Sequence, residues 1–155
     1  MKDLCKIEFK ELKELSLNLN NISDIKVLEK VKFEKLERLI LGRNKISDIN
    51  ILEKVNFKEL KELYLRFNNI SDIKVLEKVK FEKLEKLCLN NNEIKDINIL
   101  EKVNFKELKM FYLRDNNISY IKVLEKVKYD KLEVLDLGEN KISDINILEH
   151  AIIKE

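Results

Sequence analysis

The chain has 155 residues, of which 45% are hydrophobic, and this is enough to build the core of one domain of ordinary size. Its 31 basic and 29 acidic residues leave a net charge of +2, which gives no electrostatic case for binding nucleic acid or an anionic membrane. No apolar run approaches the roughly 20 residues that span a bilayer, and the first residues contain no apolar signal-peptide core. We therefore expect a cytoplasmic protein with no nucleic-acid or membrane partner.

The sequence repeats itself every 24 residues, without insertion or deletion, from position 12 onward. Residues 4–11 match only the second half of a unit, so we predict an N-terminal half-repeat that acts as a cap over 1–11. Six full repeats follow over 12–155, and the last is divergent because NILEHAIIKE replaces NILEKVNFKE. Odd units carry KVLEKVKFEKLE and even units NILEKVNFKELK, so the deeper period is 48. A short period of this kind is typical of a solenoid.

Each unit begins with a predicted strand, as the third unit illustrates. Leu63 and Leu65 point to one side of this segment, and Glu62, Tyr64 and Arg66 point to the other. Alternation with a period of two indicates a strand with one buried face.

An asparagine follows the strand at the same place in every unit. The six copies are Asn20, Asn44, Asn68, Asn92, Asn116 and Asn140. An amide in an apolar neighbourhood must be hydrogen-bonded, so we expect a stacked column of asparagines that bind backbone groups where the chain turns.

A short helical segment is predicted next. In the third unit Ser71 or Asp72 can cap it, and Ile73, Leu76 and Val79 fall three residues apart on one face. One unit cannot bury its apolar residues alone, but a stack of units can. The pattern predicts a curved, right-handed α/β solenoid with a parallel sheet on the concave face and short α- or 3-10 helices on the convex face.

The motif LKELxLxxNxISDI resembles the leucine-rich repeat, whose strand signature is L-x-x-L-x-L-x-x-N-x-I/L. The resemblance covers residues 12–149 and consists of six tandem matches. The continuation N-x-I-x-D-I is similar to the repeats of the phosphatase-1 regulatory subunit and of bacterial internalins, whose units are shorter, at about 22 residues. Internalins often place a proline after DI, and this chain has no proline. The family implies a solenoid that binds proteins on its concave face.

Variation among the six copies concentrates in the outward strand positions and the two residues that follow them. All four arginines fall in these columns, although lysine dominates the repeated framework. Arginine, tyrosine and methionine are enriched in protein interfaces. We therefore predict a surface that binds a protein partner, with neutral drift of weakly constrained positions as the alternative. The predicted site residues are Arg38, Ile40, Arg43, Tyr64, Arg66, Phe67, Cys88, Met110, Tyr112 and Arg114.

The sequence favours no catalytic site and no cofactor. The only histidine, His150, replaces a framework lysine, and no serine or cysteine has a base beside it. No Cys/His pair has metal-ligand spacing, and there is no glycine-rich phosphate loop. Cys88 is expected to be exposed on the strand face. Cys5 lies more than three units from it, roughly 15 Å or more, which is too far for a disulfide.

Two other hypotheses for the function stay open. The chain could be an exported adhesin or host-interaction module, or a structural spacer within a longer repeat protein. The C-terminal end contains Ala151, Ile152 and Ile153, which is unusually apolar for a cap. This end is expected to continue into further chain or to pack on something, such as a second copy.

Overall fold

The computed structural model describes residues 9–147 as a stack of six parallel strands on one side and short helices on the other. The strands are β1 (Glu14–Ser16), β2 (Arg38–Ile40), β3 (Glu62–Tyr64), β4 (Lys86–Cys88), β5 (Met110–Tyr112) and β6 (Val134–Asp136). The 3-10 helices with bounds in this range span Lys26–Lys30, Asn50–Glu53, Lys74–Glu77, Asn98–Glu101 and Lys122–Glu125. Cys5, His150, most of the predicted half-repeat and the apolar C-terminal end lie outside the described residues.

The six strands form one open sheet in sequence order, and every neighbouring pair is parallel. The register between neighbours is one repeat, so Leu63 of β3 lies opposite Leu39 on one side and Leu87 on the other. The predicted parallel stack and solenoid fold class are therefore confirmed, and equivalent residues of successive units form continuous columns.

The core lies between the sheet and the helices. Leu63 and Leu65 are both fully buried, and Ile73 and Leu76 are 1% exposed, as the alternation predicts. Val79 was expected to join them but is only half-buried. The helix ends at Glu77, so Val79 lies beyond its apolar face.

The asparagine column ties each unit to the one before it. In the third unit Asn68 is 7% exposed, and its Nδ2 donates to the carbonyl oxygens of Leu65 and Leu41, both at 3.0 Å. Its Oδ1 accepts the N–H of Ile46 at 2.9 Å. The same donor and acceptor pattern recurs at Asn44, Asn92 and Asn116. The predicted hydrogen-bonded column is confirmed.

The helices begin after an aspartate turn. Asp72 Oδ1 accepts the N–H of Lys74 at 2.9 Å, and the N-cap residue itself is Ile73. Neither Ser71 nor Asp72 is therefore the N-cap that the sequence predicted, and Asp72 instead closes a turn onto the first residue of the helix. Tyr120 replaces this aspartate in the fifth unit and is 57% exposed.

Opposite charges alternate along two of the stacked columns, and this accounts for the 48-residue period at those positions. Lys83 Nζ lies 2.6 Å from a carboxylate oxygen of Glu59, one unit earlier. In the second column Glu37 lies between Lys61 at 2.8 Å and Lys13 at 3.3 Å, and these lysines lower the pKa of its carboxyl. Odd and even units thus exchange Lys and Glu so that each faces its opposite in the next unit.

Candidate protein-binding surface

The outward residues of the strands form two columns on the sheet face. The first column is Glu14, Arg38, Glu62, Lys86, Met110 and Val134, and the second is Ser16, Ile40, Tyr64, Cys88, Tyr112 and Asp136. Most of these side chains are half-buried, because parallel strands only about 4.8 Å apart let neighbours cover one another. Contacts within the columns therefore decide what each residue can offer to a partner.

Arg38 is held between two carboxylates. Its Nε and Nη2 donate to the two oxygens of Glu62 at 3.1 and 3.0 Å, and its Nη1 donates to Glu14 at 2.9 Å. The Tyr64 hydroxyl also donates to Glu62, at 2.5 Å. The bonds from Arg38 lower the pKa of Glu62, whereas burial and then the bond to Glu62 raise the pKa of Tyr64. The charge of Arg38 is therefore already compensated within the sheet face.

Lys86 joins the two tyrosines of the sheet face. Its Nζ lies 5.3 Å from the ring centroids of both Tyr64 and Tyr112, so one ammonium makes two cation–π contacts. The Tyr112 hydroxyl donates to Met110 Sδ at 3.5 Å. Lys86 was absent from the predicted site. Its position in the unit between the two tyrosine units was the signal that could have found it.

Cys88 corrects the prediction of an exposed thiol. It lies opposite Tyr64 on one side and Tyr112 on the other, and it is only 6% exposed. A small side chain between two large ones is covered by them. The burial raises the pKa of the Cys88 thiol, so the sulfur serves as packing beneath the tyrosines.

The residue that lies three positions after each strand adopts a left-handed backbone conformation, with φ between 51° and 59°. We call these six residues the left-handed row: Leu19, Arg43, Phe67, Asn91, Asp115 and Glu139. None is glycine, and this conformation costs an ordinary L-residue about 1–2 kcal/mol. The sequence predicted that this column is variable but did not predict its left-handed backbone conformation. Asn91 and Asp115, which tolerate this conformation, were the available signal.

Both glycines lie immediately before residues of the left-handed row and make room for arginines. A Cβ at Gly42 would lie 3.1 Å from Arg66 Cγ and 2.8 Å from Asn18 Oδ1. A Cβ at Gly138 would lie 2.8 Å from Arg114 Nη1. Each glycine therefore lets the arginine of a neighbouring unit lie across its strand end.

The four arginines differ in their partners. Arg114 forms an ion pair with Glu139, and Arg38 pairs with Glu14 and Glu62. The Arg43 guanidinium instead lies 4.4 Å from the centroid of the Phe67 ring. Within residues 9–147, neither Arg43 nor Arg66 forms a salt bridge. These two guanidiniums are the ones that a partner's carboxylate can reach without first breaking an ion pair within this range.

All ten predicted site residues lie on the strands or directly after them. Arg38, Ile40, Tyr64, Cys88, Met110 and Tyr112 belong to β2–β5, whereas Arg43, Arg66, Phe67 and Arg114 follow those strands. The stack thus brings Tyr64, Cys88 and Tyr112 together in the second column of the sheet face. Arg43 and Phe67 of the left-handed row are in contact with each other nearby. The predicted site did not include Glu62, which accepts a hydrogen bond from Tyr64, or Lys86, which makes cation–π contacts with Tyr64 and Tyr112.

Between residues 9 and 147 no group of three His, Cys, Asp or Glu side chains is arranged to hold a metal ion. No helix in that range is long and apolar enough to cross a membrane. A cleft lies between the 3-10 helices of the second to fourth units, among side chains such as Glu53, Lys74 and Glu101.

A stack with one parallel strand, one asparagine and one short helix per unit defines a leucine-rich-repeat solenoid. Residues 58–102 and 106–150 match the family described as "Leucine Rich repeats (2 copies)", and together they make up more than half of the sequence. The protein belongs to the leucine-rich repeat family.

Solved structures agree with this assignment. An internalin (inlF) of Listeria monocytogenes is 28% identical, with a TM-score of 0.67 over 88% of this chain and 44% of its own. Internalin C2 of the same bacterium is 26% identical, with a TM-score of 0.65 over 88% of this chain and 66% of its own. A chain of the LRIM1/APL1C complex is 26% identical, with a TM-score of 0.70 over 86% of this chain and 24% of its own. The protein therefore spans less than two thirds of each of these chains. A comparison with curated proteins gives no significant match.

Proposed function

We propose that the protein is a non-enzymatic binding scaffold that presents its sheet face to a protein partner. The observation that carries this proposal is the placement of variation. Apart from the odd–even alternation and the divergent last unit, the core and helix columns vary little, whereas the arginines, tyrosines and methionine of the chain's variable columns lie together on the strands and strand ends. The membership of one similar structure in the LRIM1/APL1C complex supports a binding role.

The sheet face suits a protein partner better than a small molecule. Its aromatic rings are held by Glu62 and Lys86, and rigid aromatic anchors beside arginine are the residues that dominate protein interfaces. We propose Tyr64 and Tyr112 as the centre of the interface, with Ile40, Met110 and Arg114 around them. Cys88 supports the two rings from below.

Capture of a partner from the native source tests this proposal. The test variant carries Tyr64→Ser, Arg66→Ser, Tyr112→Ser and Arg114→Ser. The matched control carries Tyr120→Ser and Lys122→Ser, an exposed tyrosine and cation with the same spacing on the helix side.

We expect the four-residue variant to lose a partner that the wild type and the helix-side control both retain, while circular dichroism shows an unchanged fold. Loss of the partner by the helix-side control alone would move the site to the convex face. Retention by both variants would favour a structural spacer.

Localisation distinguishes a second candidate, an exported module that uses the same face. The likeness to internalin structures favours this candidate. The cytoplasmic proposal rests on the buried, unpaired Cys88 thiol, which suits a reducing compartment. Fractionation of the source cells decides between them, because an exported protein is found outside the cytosol.

We also propose that residues 1–11 cap the stack and that residues 12–155 form six units, of which the last is divergent. At that end Leu135 of β6 is 37% exposed, and an edge strand offers unpaired backbone groups. Self-association through this end is expected to raise the molecular mass in sedimentation as the concentration increases. A Leu135→Lys variant is expected to stay monomeric.

A further inference from the structure

We propose that the left-handed row, together with Arg66, forms an anchoring edge of the binding site for an extended segment of the partner that is acidic at one end and basic at the other. This inference rests on the proposed function and names the chemistry of its partner. The segment carries carboxylates and an apolar side chain over the end of the row at β1–β3, and it runs across the strand ends toward β6.

The backbone conformation of the row indicates that its side chains are selected for a function and not for stability. Asparagine adopts the left-handed conformation with less strain than leucine, arginine, phenylalanine or glutamate, and it occurs in the row at position 91. The chain is otherwise rich in asparagine at turns. Leu19, Arg43, Phe67 and Glu139 nevertheless hold long side chains in this conformation. A fold selected only for stability would favour asparagine or glycine there.

The electrostatics of the row indicate the sign of the partner. Arg43 and Arg66 form no salt bridge within residues 9–147, and they are adjacent because the N–H of Arg43 donates to the carbonyl oxygen of Arg66 at 2.8 Å. Stacking of the Arg43 guanidinium on Phe67 fixes its plane and leaves its edges to donate to a carboxylate. Two arginines joined by a backbone hydrogen bond, neither of which forms a salt bridge within this range, favour an acidic ligand.

The flanking residues add an apolar contact. Leu19 is 70% exposed and Phe67 is 39% exposed, and they lie on either side of Arg43 in the row. An apolar side chain of the partner can therefore pack beside the carboxylates that bind Arg43 and Arg66.

The opposite end of the row determines the orientation of the segment. Asp115, Asp136 and Glu139 lie near β5 and β6, where a second acidic group would be repelled. Their neighbour Arg114 is already paired with Glu139. A partner with acidic residues at one end and basic residues at the other matches both halves of the row.

A designed peptide tests the inference directly. The row spans five strand spacings, roughly 24 Å, which about eight extended residues match. The fluorescein-labelled block peptide has Glu and Phe in one half and Lys in the other. The control peptide has the same composition with Glu and Lys alternating. Fluorescence anisotropy at low salt measures binding of each peptide to the full chain.

Three variants distinguish a specific role of Arg43 and Arg66 from a general effect of positive charge. Arg43→Asn and Arg66→Asn each remove one guanidinium of the anchoring edge. Lys45→Asn removes one exposed positive charge close by, and asparagine already occupies the equivalent positions Asn21 and Asn69. It is the matched control for the loss of charge.

We expect the block peptide to bind the wild type at least about tenfold more tightly than the control peptide, since only the block places both charges over their complements. Arg43→Asn and Arg66→Asn are each expected to weaken the affinity for the block peptide about tenfold or more. Lys45→Asn is expected to weaken that affinity less than about twofold. The melting temperature of Arg43→Asn is expected to be unchanged or higher, because asparagine relieves backbone strain.

Equal affinity for the two peptides, no measurable binding of the block peptide, or wild-type affinity in both arginine variants would overturn the inference. A lower melting temperature in Arg43→Asn would show that the side chain is held for packing and would also overturn it. If a partner is captured by the wild type and lost by the four-residue variant while the peptides give any of these results, the proposed function stands and the acidic-end inference is rejected, so the two can fail separately.

Discussion

Arg38 donates from Nε and Nη2 to both carboxylate oxygens of Glu62, which lies in register with it on the next strand. This two-bond contact couples β2 to β3 on the sheet face, and through Glu62 it also orients the hydroxyl of Tyr64. The residues that support the proposed interface are therefore part of the hydrogen bonding that aligns the units.

The Arg38–Glu62 contact predicts a pH dependence of stability. The bonds from Arg38 hold the folded pKa of Glu62 below its ordinary value of 4.5, so its contribution to stability is present above that value and is lost as the pH falls through the folded pKa. We expect Glu62→Gln to show a weaker loss of the free energy of unfolding than the wild type when the pH falls from about 6 to 3. Urea unfolding at each pH measures this. Glu82→Gln, at an exposed glutamate that forms no salt bridge in residues 9–147, is expected to match the wild type. Parallel curves for all three proteins would contradict the prediction.

The asparagine column predicts a large effect from one amide. Asn68→Ala leaves the carbonyl oxygens of Leu65 and Leu41 and the N–H of Ile46 without their side-chain partner, so we expect a loss of about 2–5 kcal/mol in the free energy of unfolding. Asn20→Ala is the matched control at the exposed end of the same column, and it is expected to cost about 1 kcal/mol or less. Chemical denaturation measures both, and similar costs would argue against the column as a stabilising feature.

The buried leucines predict a second difference between the middle and the end of the stack. Leu65 is fully buried, so Leu65→Ala should destabilise the protein by about 2–5 kcal/mol through lost packing and a cavity. Leu17 occupies the same column in the first unit and is only half-buried, so Leu17→Ala should cost less. An equal effect of the two substitutions on the urea midpoint would show that the first unit is covered as well as the third.

The alternating charge columns predict a salt-dependent effect. Lys83→Glu places a third glutamate between Glu59 and Glu107, and we expect it to lower the melting temperature at low salt. The difference should shrink in about 1 M NaCl, where the screening length is roughly 3 Å. Lys80→Glu makes the same charge change between the uncharged Asn56 and Asn104 and should have a smaller effect. If the lower melting temperature of Lys83→Glu persists at high salt, the effect comes from packing and not from charge.

The burial of Cys88 predicts slow thiol chemistry. Its raised pKa and 6% exposure both lower the concentration of accessible thiolate near neutral pH. In a Cys5→Ser background, a disulfide reagent should label the native protein much more slowly than the urea-unfolded protein. Tyr112→Ala removes one covering ring and should accelerate labelling. Fast labelling of the native protein would show that the tyrosines do not cover the sulfur.

The sequence alone predicted the features that every unit shares. Leu63 and Leu65 alternate with polar neighbours, and Asn68 recurs at one position per unit, so identical units stacked in register had to place leucine in the core and asparagine at the turn. These predictions succeeded because each depends on a pattern that is local to the unit and repeated in its neighbours. The family resemblance followed from the same pattern, and the family match confirms it.

Only the tertiary structure decided how the varying residues interact. Cys88 is buried because Tyr64 and Tyr112 occur in the units on either side of it, and Lys86 lies between the same two rings. The left-handed conformation of Arg43 is a property of the backbone that residue type does not reveal. A repeat determines which positions stack, because the apolar groups must meet across units. Which side chains shield, pair with or strain one another depends on the particular residues that the stack brings into contact.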